Sequence, residues 1–151
     1  MKSKRIIEAL TLSYAMELET VQNYIAASVN LDGVRSEVIK KALAADVAVE
    51  VQHAQQLAAR IKTLDGIVPG SLALPRGQKF LQPGKDTTDV VAIIKGVIAA
   101  EEGAIQQYNR IIKLCDGVDY VTQDLVIGIL AGEEDHRREF VGFLKEYEKR
   151  G

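Results

Sequence analysis

The chain lacks tryptophan and has one cysteine, three prolines and two histidines among its 151 residues. A single cysteine excludes an intrachain disulfide. Without a C-x-x-C pair there is also no ligand set for a zinc ribbon or a rubredoxin-type iron site. We therefore interpret Cys115 as a small apolar residue near the end of a helix. Aromatic residues make up only 5% of the chain, while alanine, leucine, isoleucine, valine, lysine and glutamate are abundant, which favours helix over sheet.

Charge and hydropathy exclude further classes of protein. A net charge of −2 provides neither the basic surface of a nucleic-acid-binding protein nor a polybasic membrane anchor. No run approaches the roughly 20 apolar residues of a membrane span, and the N-terminal residues contain no apolar segment of signal-peptide length before Glu8. We predict a cytoplasmic protein with no nucleic-acid or membrane partner. We also predict a single domain over residues 1–151, a length that buries a core without disulfides.

Four long segments carry apolar residues at helical spacing. They cover approximately residues 3–30, 36–64, 86–116 and 118–149. Asp-Gly pairs interrupt them at 32–33, 65–66 and 116–117. Ser36 is the predicted N-cap of the second segment, and a cluster of capping residues from Asp86 to Asp89 precedes the third.

The connection between the second and third segments differs from the other two. Residues 65–85 contain all three prolines and four glycines. If extended, this stretch could span roughly 70 Å, enough to run the length of a helical bundle. The other two connections are tight turns, which join antiparallel neighbours. We predict an all-α fold, an antiparallel four-helix bundle with one long crossover that leaves the second and third helices parallel.

An internal repeat relates the first and third predicted helices. Glu17 is followed seven positions later by Tyr24, and Glu101 by Tyr108, with 84 positions between the two glutamates. The intervening residues also correspond, since both stretches have a glutamine two positions before the tyrosine. Residues seven apart lie on one face of a helix, so each glutamate and its tyrosine share a face.

The same repeat relates the second and fourth predicted helices through the motif E-x-x-H. It occurs as Glu50 and His53 and again as Glu133 and His136, 83 positions later. The only two histidines of the chain therefore occupy equivalent places. A residue three positions after another lies on the same helix face, so each motif presents one carboxylate and one imidazole to one point.

These residues fall among apolar residues on the inward faces of the helices. On the fourth helix the apolar stripe passes through Val126, Ile129, Glu133, His136, Phe140, Phe143 and Tyr147. Burying four carboxylates without a counter-charge would cost several kcal/mol per ion, and no lysine or arginine lies on these faces nearby. Two divalent cations would balance the four carboxylates. Mixed carboxylate and imidazole ligands favour iron or manganese over magnesium or calcium, and the absence of thiolates argues against structural zinc.

Alternatives remain at several positions. A lone E-x-x-H is usually a surface pair, and the metal interpretation depends on its repetition. If the helical register is misread, Glu19 would be the ligand in place of Glu17, and Glu102 in place of Glu101. Tyr24 and Tyr108 are either core residues bonded to ligand carboxylates or redox participants. Asp46, one turn before Glu50, is either a further carboxylate near the metals or a solvated residue.

The repeated pattern of E-x6-Y and E-x-x-H resembles the ferritin-like di-iron carboxylate superfamily, and within it bacterioferritin most. The stretches ELETVQNYIAAS, LDGIVPG and LVIGILAGEEDH have the same character. The resemblance implies that Glu50 and Glu133 bridge two irons. It also implies terminal ligands and one histidine for each iron, namely Glu17, Glu101, His53 and His136. We add Tyr24 as a candidate catalytic residue.

The resemblance implies a ferroxidase that oxidises Fe(II) with O2 or peroxide and stores or detoxifies iron, in a homo-oligomer. The rivals are a rubrerythrin-like or manganese-catalase-like enzyme that scavenges peroxide, and a non-catalytic metal-buffering oligomer. Three features depart from those of the relatives. Val51 replaces the haem-binding methionine of bacterioferritin, so no haem is expected. Only 15 residues follow His136, too few for a fifth helix, and Ala104 replaces an additional glutamate of rubrerythrin.

Overall fold

The structure, a computed structural model, describes residues 2–149 and contains four α-helices. They are α1 (Lys2–Asn30), α2 (Glu37–Thr63), α3 (Val90–Cys115) and α4 (Tyr120–Lys149). Two single 3₁₀ turns, at Val34–Ser36 and Ser71–Ala73, lie in the connections. The predicted all-α fold is confirmed. Over the described range, none of the helices has the length and apolar character needed to cross a bilayer.

The second helix starts at the expected residue but without a side-chain cap. Ser36 occupies the N-cap position, as predicted, but its hydroxyl makes no cap hydrogen bond. It donates instead to the carbonyl oxygen of Asp32 at 2.8 Å. The hydroxyl is therefore bonded to the preceding connection and not to the first turn of the helix.

The starts of α3 and α4 are capped by aspartates. Asp89 Oδ1 accepts a hydrogen bond from the backbone N–H of Ala92 at 3.1 Å, as the capping cluster predicted. Asp119 Oδ1 accepts from the N–H of Thr122 at 3.0 Å, so α4 begins after it. The fourth helix therefore starts two residues later than the apolar spacing suggested, because an aspartate side chain satisfies the free N–H groups of the first turn.

The long crossover between α2 and α3 returns along the outside of the bundle. Its first residues lie at the start of α1, where Gly66 packs beside Ile7. Its last residues lie at the end of α1, where the N–H of Asp32 donates to the carbonyl of Thr87 at 2.9 Å. The crossover therefore runs the length of α1, and α2 and α3 are parallel, as predicted.

The hydrophobic core consists of two clusters with a polar layer between them. On α2, Leu43 belongs to one cluster and Leu57 to the other. On α4, Phe140 and Ile129 are divided in the same way. The intervening inward positions of both helices carry the glutamates and histidines of the E-x-x-H motifs. Cys115 is fully buried in the second cluster, which agrees with its interpretation as an apolar core residue.

Candidate metal centre

The polar layer brings the six candidate ligands together in two overlapping groups. The first group contains Glu17, Glu50, His53 and Glu133, and the second contains Glu50, Glu101, Glu133 and His136. Within each group, one ligand atom from every residue lies within 4.8 Å of the others. Each group has three carboxylates and one imidazole, and Glu50 and Glu133 belong to both.

The four glutamates are among the most deeply buried side chains of the protein, with 1–2% of their surface exposed. Two arginines near the motifs in sequence, Arg60 and Arg137, pair elsewhere. Arg60 Nη2 lies 3.1 Å from Asp119 Oδ1, and Arg137 Nε lies 3.6 Å from Glu102 Oε1. Within residues 2–149, no lysine or arginine forms an ion pair with the four glutamates, so the histidines are the only cationic partners that the chain provides.

Each tyrosine of the repeat hydrogen-bonds to the glutamate of the other half. Tyr108 donates its O–H to Glu17 Oε1 at 2.5 Å, and Tyr24 donates to Glu101 Oε1. Because α1 and α3 are antiparallel, the tyrosine of each helix lies beside the glutamate of the other. The second oxygens, Glu17 Oε2 and Glu101 Oε2, are buried without a hydrogen-bond partner. A buried carboxylate oxygen without a partner is costly, and a cation between the helices would satisfy both.

The histidines also face the opposite half of the repeat. His53 Nδ1 lies 2.9 Å from Glu133 Oε1, and His136 Nδ1 lies 3.1 Å from Glu50 Oε1. Both rings therefore present the same nitrogen to the carboxylates. Although burial alone would lower the pKa of His53, hydrogen bonds to the surrounding carboxylates raise it to about 12.

The carboxylates compete with one another for protons. Burial raises the pKa of Glu50 to about 9 and that of Glu133 to about 8, and the charges of nearby carboxylates add to both shifts. Burial also raises the pKa of Glu101 well above its usual value. Glu17 is the exception: burial raises its pKa, but the neighbouring Glu50 carboxyl, the His53 imidazole and the Tyr108 hydroxyl together lower it below the usual value. A set of acids that holds protons at neutral pH will exchange them for a divalent cation.

The residues that the sequence left open occupy distinct places. Glu19 hydrogen-bonds to the crossover and Glu102 is an exposed partner of Arg137, so neither belongs to the metal-binding groups. Asp46 is 8% exposed, and its Oδ1 lies 3.4 Å from His136 Nε2. Asp46 is therefore not a solvated residue. The apolar spacing of α2 placed Asp46 on the same helix face as Glu50, but spacing alone could not show whether its carboxylate is buried or solvated.

Residues 7–149 match the family described as "Ferritin-like domain". The chain belongs to the ferritin-like family. Bacterioferritin from Desulfovibrio desulfuricans is 28% identical over 138 residues, which cover 89% of this chain and 72% of the relative.

Solved structures show the same fold for this ferritin-like chain. A ferritin-like, di-iron carboxylate protein from Bacillus anthracis strain Ames has a TM-score of 0.83 at 21% identity, covering 95% of this chain and 98% of its own. The bacterioferritin-related protein from Bacteroides fragilis, described as a dodecameric thioferritin, has a TM-score of 0.87 at 22% identity, covering 98% and 89%. The predicted resemblance is confirmed, and the glutamate and histidine cluster is suited to binding two metal ions.

Proposed function

We propose that this ferritin-like protein is a ferroxidase, which binds two Fe(II) ions at the polar layer and oxidises them with O2 or peroxide. The observation that supports the proposal is the pair of overlapping ligand groups, which share Glu50 and Glu133 and are lined by carboxylate oxygens without partners. Two divalent ions would neutralise the four carboxylates, with which no lysine or arginine of residues 2–149 forms an ion pair.

In this proposal, the carboxylates common to both groups bridge the ions, and each histidine binds one ion. Glu50 and Glu133 would be shared by the two ions, because each belongs to both ligand groups. His53 and His136 bind through Nδ1, the nitrogen that each presents to the carboxylates. The two E-x-x-H motifs thus supply the same donors from opposite sides.

The terminal ligands are Glu17 and Glu101, which bind through their free Oε2 atoms. Their other oxygens are held by Tyr108 and Tyr24 respectively. These hydrogen bonds fix the orientation of each carboxylate, since a rotated carboxylate would lose the tyrosine. Tyr24 and Tyr108 therefore act in positioning the terminal ligands.

Fe(II) is the substrate of the proposed reaction. Two Fe(II) ions give up one electron each, and O2 takes up the two electrons and two protons to become hydrogen peroxide. When peroxide is the oxidant, the same two electrons and two protons convert it to two water molecules. Carboxylates are hard ligands, so a site rich in them favours Fe(III) over Fe(II) and assists the oxidation.

The site assignment is tested by adding Fe(II) anaerobically, exposing the protein to O2 and following the ferric absorbance. We expect the fast phase to saturate at two irons per chain, one for each ligand group. Glu50→Ala and His136→Ala should slow it by at least about tenfold. The matched control is Glu134→Ala, which removes the exposed neighbour of Glu133 and should oxidise iron normally. Unchanged rates in the first two variants would overturn the assignment.

Storage and peroxide scavenging are distinguished by a second measurement on the same protein. Given hundreds of Fe(II) ions per chain, a storage protein forms a ferric mineral. A scavenging enzyme, whose metal is iron or manganese, stops at two metal ions per chain. It then turns over peroxide with electrons from a reductant. Light scattering during size-exclusion chromatography reports the assembly. We propose a homo-oligomer, in keeping with the dodecameric relative from Bacteroides fragilis.

A further inference from the structure

The ligand repeat does not extend to the residues around the ligands. Asp46 lies four positions before Glu50, and the equivalent residue in the second half, four positions before Glu133, is Ile129. Both are buried, with 8% and 3% of their surface exposed. One half therefore places a carboxylate where the other places an apolar side chain.

The carboxylate of Asp46 faces the outer nitrogen of a histidine. Asp46 Oδ1 lies 3.4 Å from His136 Nε2, while His136 Nδ1 lies 3.1 Å from Glu50 Oε1. The imidazole thus stands between a carboxylate inside the metal-binding group and one outside it. Asp46 Oδ2 is buried and has no hydrogen-bond partner, and Oδ1 forms an ion-pair contact with the imidazole.

His53 has different surroundings. Within residues 2–149, Glu133, Glu17 and Glu50 form ion pairs with His53, and in each pair the nearest ring nitrogen is Nδ1. The other side of the ring packs against Gly132, where a Cβ atom would lie 3.5 Å from Nε2. Among the described residues, no carboxylate that pairs with His53 has Nε2 as its nearest ring nitrogen, in contrast to Asp46 and His136.

We propose that Asp46 is a positioning residue for His136, and that it makes the metal position beside His136 different from the one beside His53. Asp46 accepts the Nε2–H of His136, which keeps the proton on that nitrogen and leaves the lone pair of Nδ1 for the metal. A carboxylate in this place also fixes the orientation of the ring. The inference rests on the proposed metal centre and adds an order of binding to it: the position beside His136 binds a divalent ion more tightly.

The test is an anaerobic calorimetric titration with Co(II), a divalent ion that stays unoxidised under these conditions and whose visible spectrum reports its ligands. The wild-type protein should bind two ions in two resolved steps. Asp46→Ala should weaken the tighter step by about 10- to 100-fold and leave the weaker one unchanged. Asp46→Asn keeps a neutral hydrogen-bond acceptor, so its affinity in the tighter step should lie between those of the wild type and Asp46→Ala. The control Asp135→Asn removes an exposed carboxylate directly before His136 and should bind as the wild type does.

A second readout follows the hydrogen bond without any metal. The chain has only two histidines, so the ¹⁵N-labelled imidazoles of the metal-free protein give two sets of signals, which the His53→Gln variant assigns. We expect the Nε2 proton of His136 to exchange slowly with water in the wild type and rapidly in Asp46→Ala. The signals of His53 should not change.

The outcomes separate the two proposals. If the wild type takes up no Co(II), the metal centre is wrong and the inference fails with it. If two ions bind and Asp46→Ala leaves both steps within about threefold of the wild type, or weakens both equally, only the role of Asp46 is overturned. Unchanged His136 signals in Asp46→Ala would also overturn that role.

Discussion

The two halves of the molecule, α1 with α2 and α3 with α4, agree in the ligands and differ in what surrounds them. Each half contributes two glutamates, one histidine and one tyrosine to the polar layer. Around that layer, Asp46 in the first half corresponds to Ile129 in the second, and Glu19 to Gly103. The ligand donors are repeated in both halves, whereas their surroundings follow contacts that occur only once in the fold.

The crossover is the clearest of these single contacts. Glu19 on α1 accepts hydrogen bonds from the backbone N–H groups of Gly77 and Gln78, at 3.1 and 3.0 Å. On α3 the crossover approaches so closely that a Cβ atom on Gly96 would lie 2.5 Å from the carbonyl oxygen of Phe80. Therefore α1 binds the crossover through the carboxylate of Glu19, and α3 has a glycine, Gly96, where the crossover lies close to its backbone.

The largest expected effect is on the pH dependence of the metal-free protein, which involves both halves. Glu50 and Glu133 have folded-state pKa values of about 9 and 8, above the ordinary value of 4.5. The stabilisation from these protons is complete below about pH 4.5 and is lost as the pH rises through 8 to 9. We expect the Tm, measured by circular dichroism, to fall by at least about 10 °C from pH 5 to pH 9.

The same measurement tests the equivalence of the halves. Glu50→Gln and Glu133→Gln should flatten the pH dependence to a similar extent, because each removes one carboxylate common to both ligand groups. A flat curve for one variant and an unchanged curve for the other would show that the halves are electrostatically different at the centre itself.

Next in size are the two tyrosine substitutions. Tyr24→Phe and Tyr108→Phe each remove the donor to a buried glutamate, Glu101 and Glu17 respectively. Tyr108→Phe should lower the free energy of unfolding of the metal-free protein by about 1.5–3 kcal/mol, because the lowered pKa of Glu17 keeps that acceptor ionised. Tyr24→Phe should lower it by about 0.5–1.5 kcal/mol, because the raised pKa of Glu101 keeps that acceptor protonated. Chemical denaturation of both variants at pH 7 checks this, and a larger loss in Tyr24→Phe would contradict the electrostatic difference between the halves.

A single methyl group on α3 tests the close approach of the crossover. Gly96→Ala should destabilise the protein by about 1–3 kcal/mol, because the added Cβ meets backbone rather than a movable side chain. The matched control is Gly103→Ala on the same helix, where no atom lies within 4 Å of the added Cβ. That variant should gain about 0.5–1 kcal/mol from helix propensity. Equal effects in the two variants, measured by urea denaturation, would argue against the contact.

The smallest expected effect concerns the fastening of the crossover on α1. Glu19→Ala should cost about 1 kcal/mol and speed limited proteolysis within residues 71–85, because two backbone N–H groups lose their acceptor. Glu102→Ala removes an exposed carboxylate paired only with Arg137 and should cost less than about 0.5 kcal/mol. If both variants resist proteolysis as the wild type does, Glu19 does not hold the crossover.

Much of this organisation follows from the sequence alone. Helical spacing placed Glu50, His53, Glu133 and His136 on inward faces, and the Asp-Gly breaks marked the ends of the helices. Proline and glycine content identified the crossover, whose length allows α2 and α3 to be parallel. These features are local, because the period of a helix and the conformational preferences of glycine and proline act over a few residues.

Only the tertiary structure decided which partners meet across the helices. Helical spacing shows that Tyr24 shares a face with Glu17, yet its hydroxyl bonds to Glu101 on another helix. It left Asp46 open between burial and solvent, and the packing of α2 against α4 places that side chain beside His136. It also left Glu19 as an alternative ligand, although the crossover occupies its carboxylate. The period of a helix determines the face on which a residue lies, whereas the rotation and stagger of neighbouring helices determine what that face meets.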